Sequence, residues 1–341
     1  MKKTALVICP GRGTYNKAEH GYLYRHHANQ TDFIQMLDSY RACQDQITIS
    51  ELDQSPQFSS SLHVTGDNAS SLIYGCALAD FQAIDQNKID IVGVTGNSMG
   101  WYLALAASKA VSLEDGARIV NTTGKLMHDH AQGGQIVYPI VDDNWVLSPE
   151  KQRLIDSVLS KKPDDAFIDI SIKLGGILIF AANTAGLSYL QKSLPKQSPY
   201  PLKLAHHGAF HSSHVGNVVP MAQQALSVDM LSTPNLPLID GKGRIWQPQA
   251  TDLDALYDYT FGTQINSLFD YSKAVEVGIK EFAPDMIIIL GPGSTLGGPT
   301  AQELIKHRWQ GLKNKADFKH RQSQDPYIIS MNIDEQRRRV I

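Results

Sequence analysis

The stretch IDIVGVTGNSMGWYLALAASKA, residues 89–110, decides how this chain is read. Its first half is a short apolar run, Ile89 to Thr95, of the kind that forms a fully buried strand. Its second half, Trp101 to Ala110, is rich in Leu and Ala and is predicted to be helical. Between them Gly96-Asn97-Ser98-Met99-Gly100 matches Gly-x-Ser-x-Gly, the sharp strand-to-helix turn that holds a nucleophilic serine outward. Glycines two residues either side relieve crowding at such a turn, and the following helix aims free amides at the serine. The five-residue match alone occurs by chance in roughly one chain of this length in ten, so its surroundings must carry the reading.

Working outward, Thr4 to Cys9 reads as a second buried strand running into Pro10-Gly11-Arg12-Gly13, and Met286 to Leu290 as a third, ending at Gly291-Pro292-Gly293. Helices are expected around Ala69 to Ile84, Glu114 to His128 and Ser213 to Leu231. Buried strands alternating with helices predict a mostly parallel α/β sheet. From about Gln132 to Leu204 the texture changes. Strands at Gln135 to Val141, Ala166 to Ile172, Ile177 to Ala181 and Pro201 to Ala205, with helices after the first and third, give the β-α-β-β-α-β order of a ferredoxin-like unit. The expected architecture is an α/β-hydrolase-like core from residues 1–131 and 205–341, with a ferredoxin-like (α+β) insert at 132–204.

The 341 residues are 42% hydrophobic and 19% charged, enough for a sizeable core and against a disordered chain. A formal charge of −3 supplies no basic field for gripping nucleic acid. No apolar run reaches membrane-spanning length, and the one near Met1-Lys2-Lys3 ends at Pro10, too short for a signal peptide. Three scattered cysteines, Cys9, Cys43 and Cys76, form neither a disulfide framework nor a zinc pattern. A cytoplasmic protein is expected, with neither membrane nor nucleic acid as partner.

A serine hydroxyl needs a base and donors for the oxyanion it creates. His206, His207, His211 and His214 lie where the chain returns from the insert, and His211, between an extended piece and a new helix, is placed to reach Ser98. The amide of Met99 follows the nucleophile, and the amide of Arg12 offers a second donor. The four histidines lack a nearby acidic or cysteine partner to complete a metal shell, so no metal site is expected.

Gly96 to Val120 resembles the nucleophile segment of malonyl-CoA:acyl-carrier-protein transacylases and polyketide acyltransferase domains, whose segment begins Gly-His-Ser-Leu-Gly-Glu-Tyr. Pro10-Gly11-Arg12-Gly13 is similar to that family's Pro-Gly-Gln-Gly, Gly208 to Ser212 to its Gly-Ala-Phe-His-Ser, and Leu290 to Gly293 to its Gly-Pro-Gly strand end. These anchors follow the family's order across nearly the whole chain, and the insert falls where the family carries one. The resemblance implies a Ser98 acyl-enzyme formed from an acyl-CoA, His211 as base and acid, and transfer to the phosphopantetheine thiol of an acyl carrier protein. It implies fatty acid or polyketide biosynthesis as the setting, no bound cofactor and a monomer. It also implies that main-chain carbonyl oxygen orients the histidine, with Gln264 at the matching glutamine.

Departures from the family pattern bear on the acyl group. The arginine that holds the malonyl carboxylate in that family is here Thr123, in Thr122-Thr123-Gly124-Lys125-Leu126-Met127, and a neutral hydroxyl does not replace a bidentate cation. Arg118 lies off the same helix face. Phe210 matches the bulky residue that accompanies acyl groups without an α-methyl branch. Asn97 stands for the histidine before the nucleophile, Trp101 for the acidic residue after the elbow, and Arg12 for glutamine. Thr123, Phe210 and Trp101 are therefore expected to wall the acyl pocket. The alternative reading is an acyl-thioester hydrolase built on the same Ser98 and His211. The basic run Lys306, His307, Arg308, Lys313, Lys315, Lys319 and Arg321 is a candidate surface for an acidic carrier protein.

Overall fold

The structure is a computed structural model and describes residues 2–341. Two sheets organise it. The larger has six strands: β1 (Lys3–Cys9), β2 (Ile89–Gly96), β7 (Leu238–Ile239), β8 (Ile245–Trp246), β10 (Met286–Ile289) and β11 (Ile328–Ser330), in the spatial order β11-β10-β1-β2-β7-β8. All neighbours run parallel except the β7/β8 hairpin. The central strands read as continuous apolar runs because helices cover both faces; Ala5 to Cys9 and Ile287 to Ile289 are essentially sealed from solvent.

Parallel strands that lie side by side end at the same edge, and this positions the site. The loops after β10, β1 and β2, strands adjacent in the sheet, hold Gly291-Pro292-Gly293, the Gly11-Arg12-Gly13 turn and Ser98. At Gly11 and Gly293 the packing admits no side chain. A Cβ on Gly11 would lie 2.5 Å from the Asn97 carbonyl oxygen, and one on Gly293 2.5 Å from that of Thr14.

The second sheet holds β3 (Gly134–Pro139), β4 (Ile168–Leu174), β5 (Ile177–Ala182), β6 (Leu202–Lys203) and β9 (Phe269–Asp270), in the order β6-β3-β5-β4-β9. The first four pair antiparallel, with helices Pro149–Ser160 and Thr184–Ser193 in the connections. Strand β9, from much later in the chain, adds in parallel beside β4. A separate apolar cluster with Ile136, Tyr138, Phe180 and Leu190 at its centre lies under this sheet.

Helices Gly66–Ala83 and Leu113–His130 realise two of the expected segments and touch closely, with Gly124 against the Gly66 carbonyl. The third expected helix, Ser213 to Leu231, is broken into three. Ser212 caps a single turn, Ser213–Val215; Gly216 and Asn217 separate it from the helix Val218–Ala225; and Ser227 caps another turn, Val228–Met230. Serine hydroxyls that accept from the amide two residues on start new turns, and the apolar spacing across 213–231 hides those restarts.

Candidate active site

Ser98 sits between the end of β2 and the helix Gly100–Ala107 with φ of 57°, a left-handed conformation uncommon outside glycine. The turn has no room for side chains beside it. A Cβ on Gly96 would lie 2.2 Å from the Gly100 carbonyl carbon, and one on Gly100 would lie 2.4 Å from the Cys9 carbonyl oxygen. Both glycines of the motif are thus steric requirements, and together they press the elbow onto the end of β1.

His211 is also left-handed, with φ of 53°, and its ring reaches back to the elbow. Ser98 Oγ and His211 Nε2 are 2.6 Å apart, and His211 Nδ1 lies 2.7 Å from the Gln264 carbonyl oxygen. A carbonyl can only accept, so Nδ1 carries the proton and Nε2 is left as the acceptor for the serine hydroxyl. Burial holds the imidazole down to about 4, so it is neutral at pH 7 and able to take a proton.

Gln264 does more than orient the ring. Its Nε2 donates to the Ser98 carbonyl oxygen at 3.0 Å, and its Oε1 accepts from Tyr102 Oη at 2.7 Å. It follows a π-helical turn, Tyr259–Thr263, a wide turn that shifts the residues after it and here precedes Gln264. The loop carrying His211 is braced from the second sheet: Ser171 Oγ donates to the Phe210 carbonyl at 2.7 Å and accepts from Gln135 Nε2 at 2.6 Å.

Arg12, Met99, Thr123, Phe210, His211 and Gln264 all line the narrow cleft over Ser98, which is partly open to solvent. Among the described residues, the amides of Met99 and Arg12 are taken up by no other hydrogen bond. The Arg12 side chain also enters the cleft, its guanidinium carbon 5.4 Å from the Phe210 ring centre.

One expectation is corrected. Trp101 does not wall the cleft. Its side chain is wholly buried in the core, its Nε1 donating to Thr260 Oγ1 at 3.1 Å and its ring set edge-on to Tyr259, because the first turn of the helix Gly100–Ala107 directs it into the core. Asn97 is nearly buried beside the Gly11 turn and is likewise absent from the lining. Thr123 does line the cleft, but its hydroxyl is turned back onto its own helix, donating to the Ile119 carbonyl at 2.7 Å.

Of the other histidines, His207 Nδ1 lies 2.7 Å from Gln135 Oε1 and His214 stacks on Phe167. Sequence reasoning missed Tyr102, Ser70 and Met127 as lining residues. Tyr102 has a readable signal, one helical turn after Ser98. Ser70 has none, since only the close approach of Gly66 to Gly124 brings it there. In the basic run, Lys306 pairs with Glu303 and Arg321 with Asp325, so part of its charge is locally matched. No helix among the described residues is long and apolar enough to cross a membrane.

No family model matches the chain, and no curated protein does at the level of sequence. Solved structures do match. The fold is similar to an acyl-carrier-protein S-malonyltransferase from Burkholderia pseudomallei 1710b, at 16% identity over 99% of both chains with a TM-score of 0.76. It is similar to the malonyl-CoA:ACP transacylase of Synechocystis sp. PCC 6803, at 15% identity over the full length of both and a TM-score of 0.76. A type II polyketide malonyl-transacylase solved with its acyl-carrier protein matches at 15% identity and a TM-score of 0.70, covering 89% of this chain and 93% of that one. At these identities the likeness establishes a shared fold over the whole chain.

Proposed function

We propose that this protein is an acyl-CoA:acyl-carrier-protein acyltransferase working through an ester on Ser98. The observation that carries the reading is the 2.6 Å contact of Ser98 Oγ with His211 Nε2, with Nδ1 committed to the Gln264 carbonyl. In the first half-reaction His211 Nε2 takes the hydroxyl proton as Oγ attacks the thioester carbonyl carbon. The oxyanion sits against the amides of Met99 and Arg12. On collapse the carbon–sulfur bond breaks, and the imidazolium returns its proton to the departing thiolate of coenzyme A. The second half-reaction reverses these roles, with a carrier phosphopantetheine thiol attacking the Ser98 ester. A neutral carbonyl behind the histidine fixes the tautomer, and no buried carboxylate is needed.

The solved transacylases of the same fold lend support, one of them seen with its acyl-carrier protein. Within this reading, residues up to 131 and from 205 onward form the catalytic core. Residues 132–204 form an insert that braces the His211 loop through Gln135 and Ser171. The test is intact-protein mass spectrometry after exposure to a panel of acyl-CoA thioesters. One acyl adduct is expected, absent in Ser98→Ala and discharged by a holo carrier protein; an adduct that persists in Ser98→Ala overturns the assignment.

A further inference from the structure

The Arg12 guanidinium enters the cleft over Ser98 with its hydrogen-bonding capacity largely unused. Among the described residues, Nη1 is shut off from solvent without a hydrogen-bond partner, and Nη2 makes only a long, 3.4 Å contact to the His206 carbonyl. Among the described residues Arg12 forms no ion pair. The one acid whose charge reaches it, Asp67, is occupied by a contact from Gln46. Burial lowers the guanidinium only to about 10, so it remains a cation at neutral pH. A half-buried cation with one sealed-off nitrogen and no counter-charge has lost part of its hydration, and an anion supplied by a ligand would compensate it.

The rest of the cleft lining supplies no such charge. Thr123 spends its hydroxyl on its own helix, and the neighbouring Gly124 and Met127 offer no charged donor. His211 is neutral. Among the described residues lining the cleft, Arg12 is the one fixed cation. Phe210 packs under the guanidinium and limits where it can swing.

Resting on the acyl-transfer reading above, we propose that the Arg12 side chain anchors a terminal carboxylate on the acyl group that Ser98 carries, entering from the β1 loop rather than from the helix of Thr123. Its backbone amide and its side chain then serve one substrate at two points, the carbonyl oxygen and the distal carboxylate. The substrate class is a short, unbranched dicarboxylic half-thioester. The charge that the residue at 123 lacks is supplied from the loop after β1.

The shared chemistry is an anion, and a phosphate of coenzyme A is the competing source, so the test uses N-acetylcysteamine thioesters, which carry no phosphate. Acylation rates with malonyl and acetyl thioesters are compared for the native chain, Arg12→Gln and Arg12→Lys. The native chain is expected to prefer malonyl. Arg12→Gln lowers the malonyl-to-acetyl ratio of kcat/KM by about 30-fold, the scale of one charge-assisted contact, and Arg12→Lys keeps part of it. Because the substitution removes a half-buried charge that has no counter-charge, its Tm should not fall, which separates loss of the anchor from loss of fold. An unchanged ratio in a chain that still acylates, or a loss seen only with coenzyme A thioesters and equal for both acyl groups, overturns the anchor alone. No acylation of Ser98 by any thioester overturns the acyl-transfer reading and the anchor with it.

Discussion

Tyr102 Oη donates to Gln264 Oε1 at 2.7 Å, joining the helix that follows Ser98 to the residue whose carbonyl meets His211 Nδ1. Gln264 then holds both partners, its side-chain amide on the Ser98 carbonyl and its own carbonyl on His211 Nδ1. The distance between Ser98 and His211 is thus set by a third residue that itself depends on a fourth. Tyr102 is a positioning residue in this arrangement, buried and with its hydroxyl held in the protonated form by desolvation.

Tyr102→Phe keeps the ring and removes one donor, leaving Gln264 Oε1 buried without a partner. We expect about 1–2 kcal/mol of lost stability. The rate of Ser98 acylation should fall roughly tenfold, the loss appearing in kcat rather than KM, because substrate does not bind the hydroxyl that is removed. Thermal unfolding and single-turnover acylation measure the two effects. A stability loss with no change in kcat would reduce Tyr102 to a packing residue.

The pH dependence follows from His211. Its folded value of about 4 lies below the ordinary 6.5, so the ring stays neutral, and competent as a base, as pH falls from 8 to about 5. Acylation should therefore be flat over that range and decline toward pH 4. Stability behaves differently. The unfolded imidazole takes up a proton below about 6.5 while the folded one refuses it until about 4, so the contribution is full above 6.5 and lost on acidification through that window. His207, held down to about 3 by burial and then by Arg12, acts in the same sense. Each ring costs roughly 2 kcal/mol at pH 5 relative to neutral pH. Denaturant unfolding at pH 7 and pH 5 reads the loss; equal stabilities would show that these rings are not held neutral.

Much of this was legible in the sequence, and the reasons are local. A Gly-x-Ser-x-Gly turn, a glycine-rich turn after β1 and a Gly-Pro-Gly after β10 are short-range signals, and parallel strands carry all three to one sheet edge. The paired strands of residues 134–203 were readable for the same reason. What the sequence concealed depends on direction. Residue spacing puts Trp101 beside Ser98, but which way a side chain leaves the first turn of a helix is decided by packing against Thr260 and Tyr259, far along the chain. The glutamine-to-arginine change at residue 12 is invisible as a change in the cleft if only the backbone amide is considered. The approach of β9 to β4 brings together residues nearly a hundred apart through a two-residue strand too short to carry a pattern.

The elbow glycines separate steric need from conformational need. Gly96→Ala places a Cβ inside the Gly100 carbonyl, and neither backbone can yield without moving β2 or the helix. A loss of at least about 2 kcal/mol is expected, with acylation lost in whatever still folds. Gly297→Ala is the control, since a Cβ there meets nothing within 4 Å, and its stability should change by less than about 1 kcal/mol. Comparable Tm values for the two variants would contradict the close packing of the elbow.

Ser171→Ala tests whether the second sheet positions His211. Ser171 is fully buried on β4 and stands between Gln135 on β3 and the Phe210 carbonyl, one residue before His211. Removing the hydroxyl strands a donor and an acceptor at once, which costs about 1–3 kcal/mol. Because Phe210 also packs under Arg12, the variant should slow acylation and shift selectivity among acyl groups together. Ser171→Thr keeps the hydroxyl and should recover most of the rate if the added methyl is accommodated. If Ser171→Ala loses stability but retains both rate and selectivity, the sheet braces the fold without setting the geometry around Ser98.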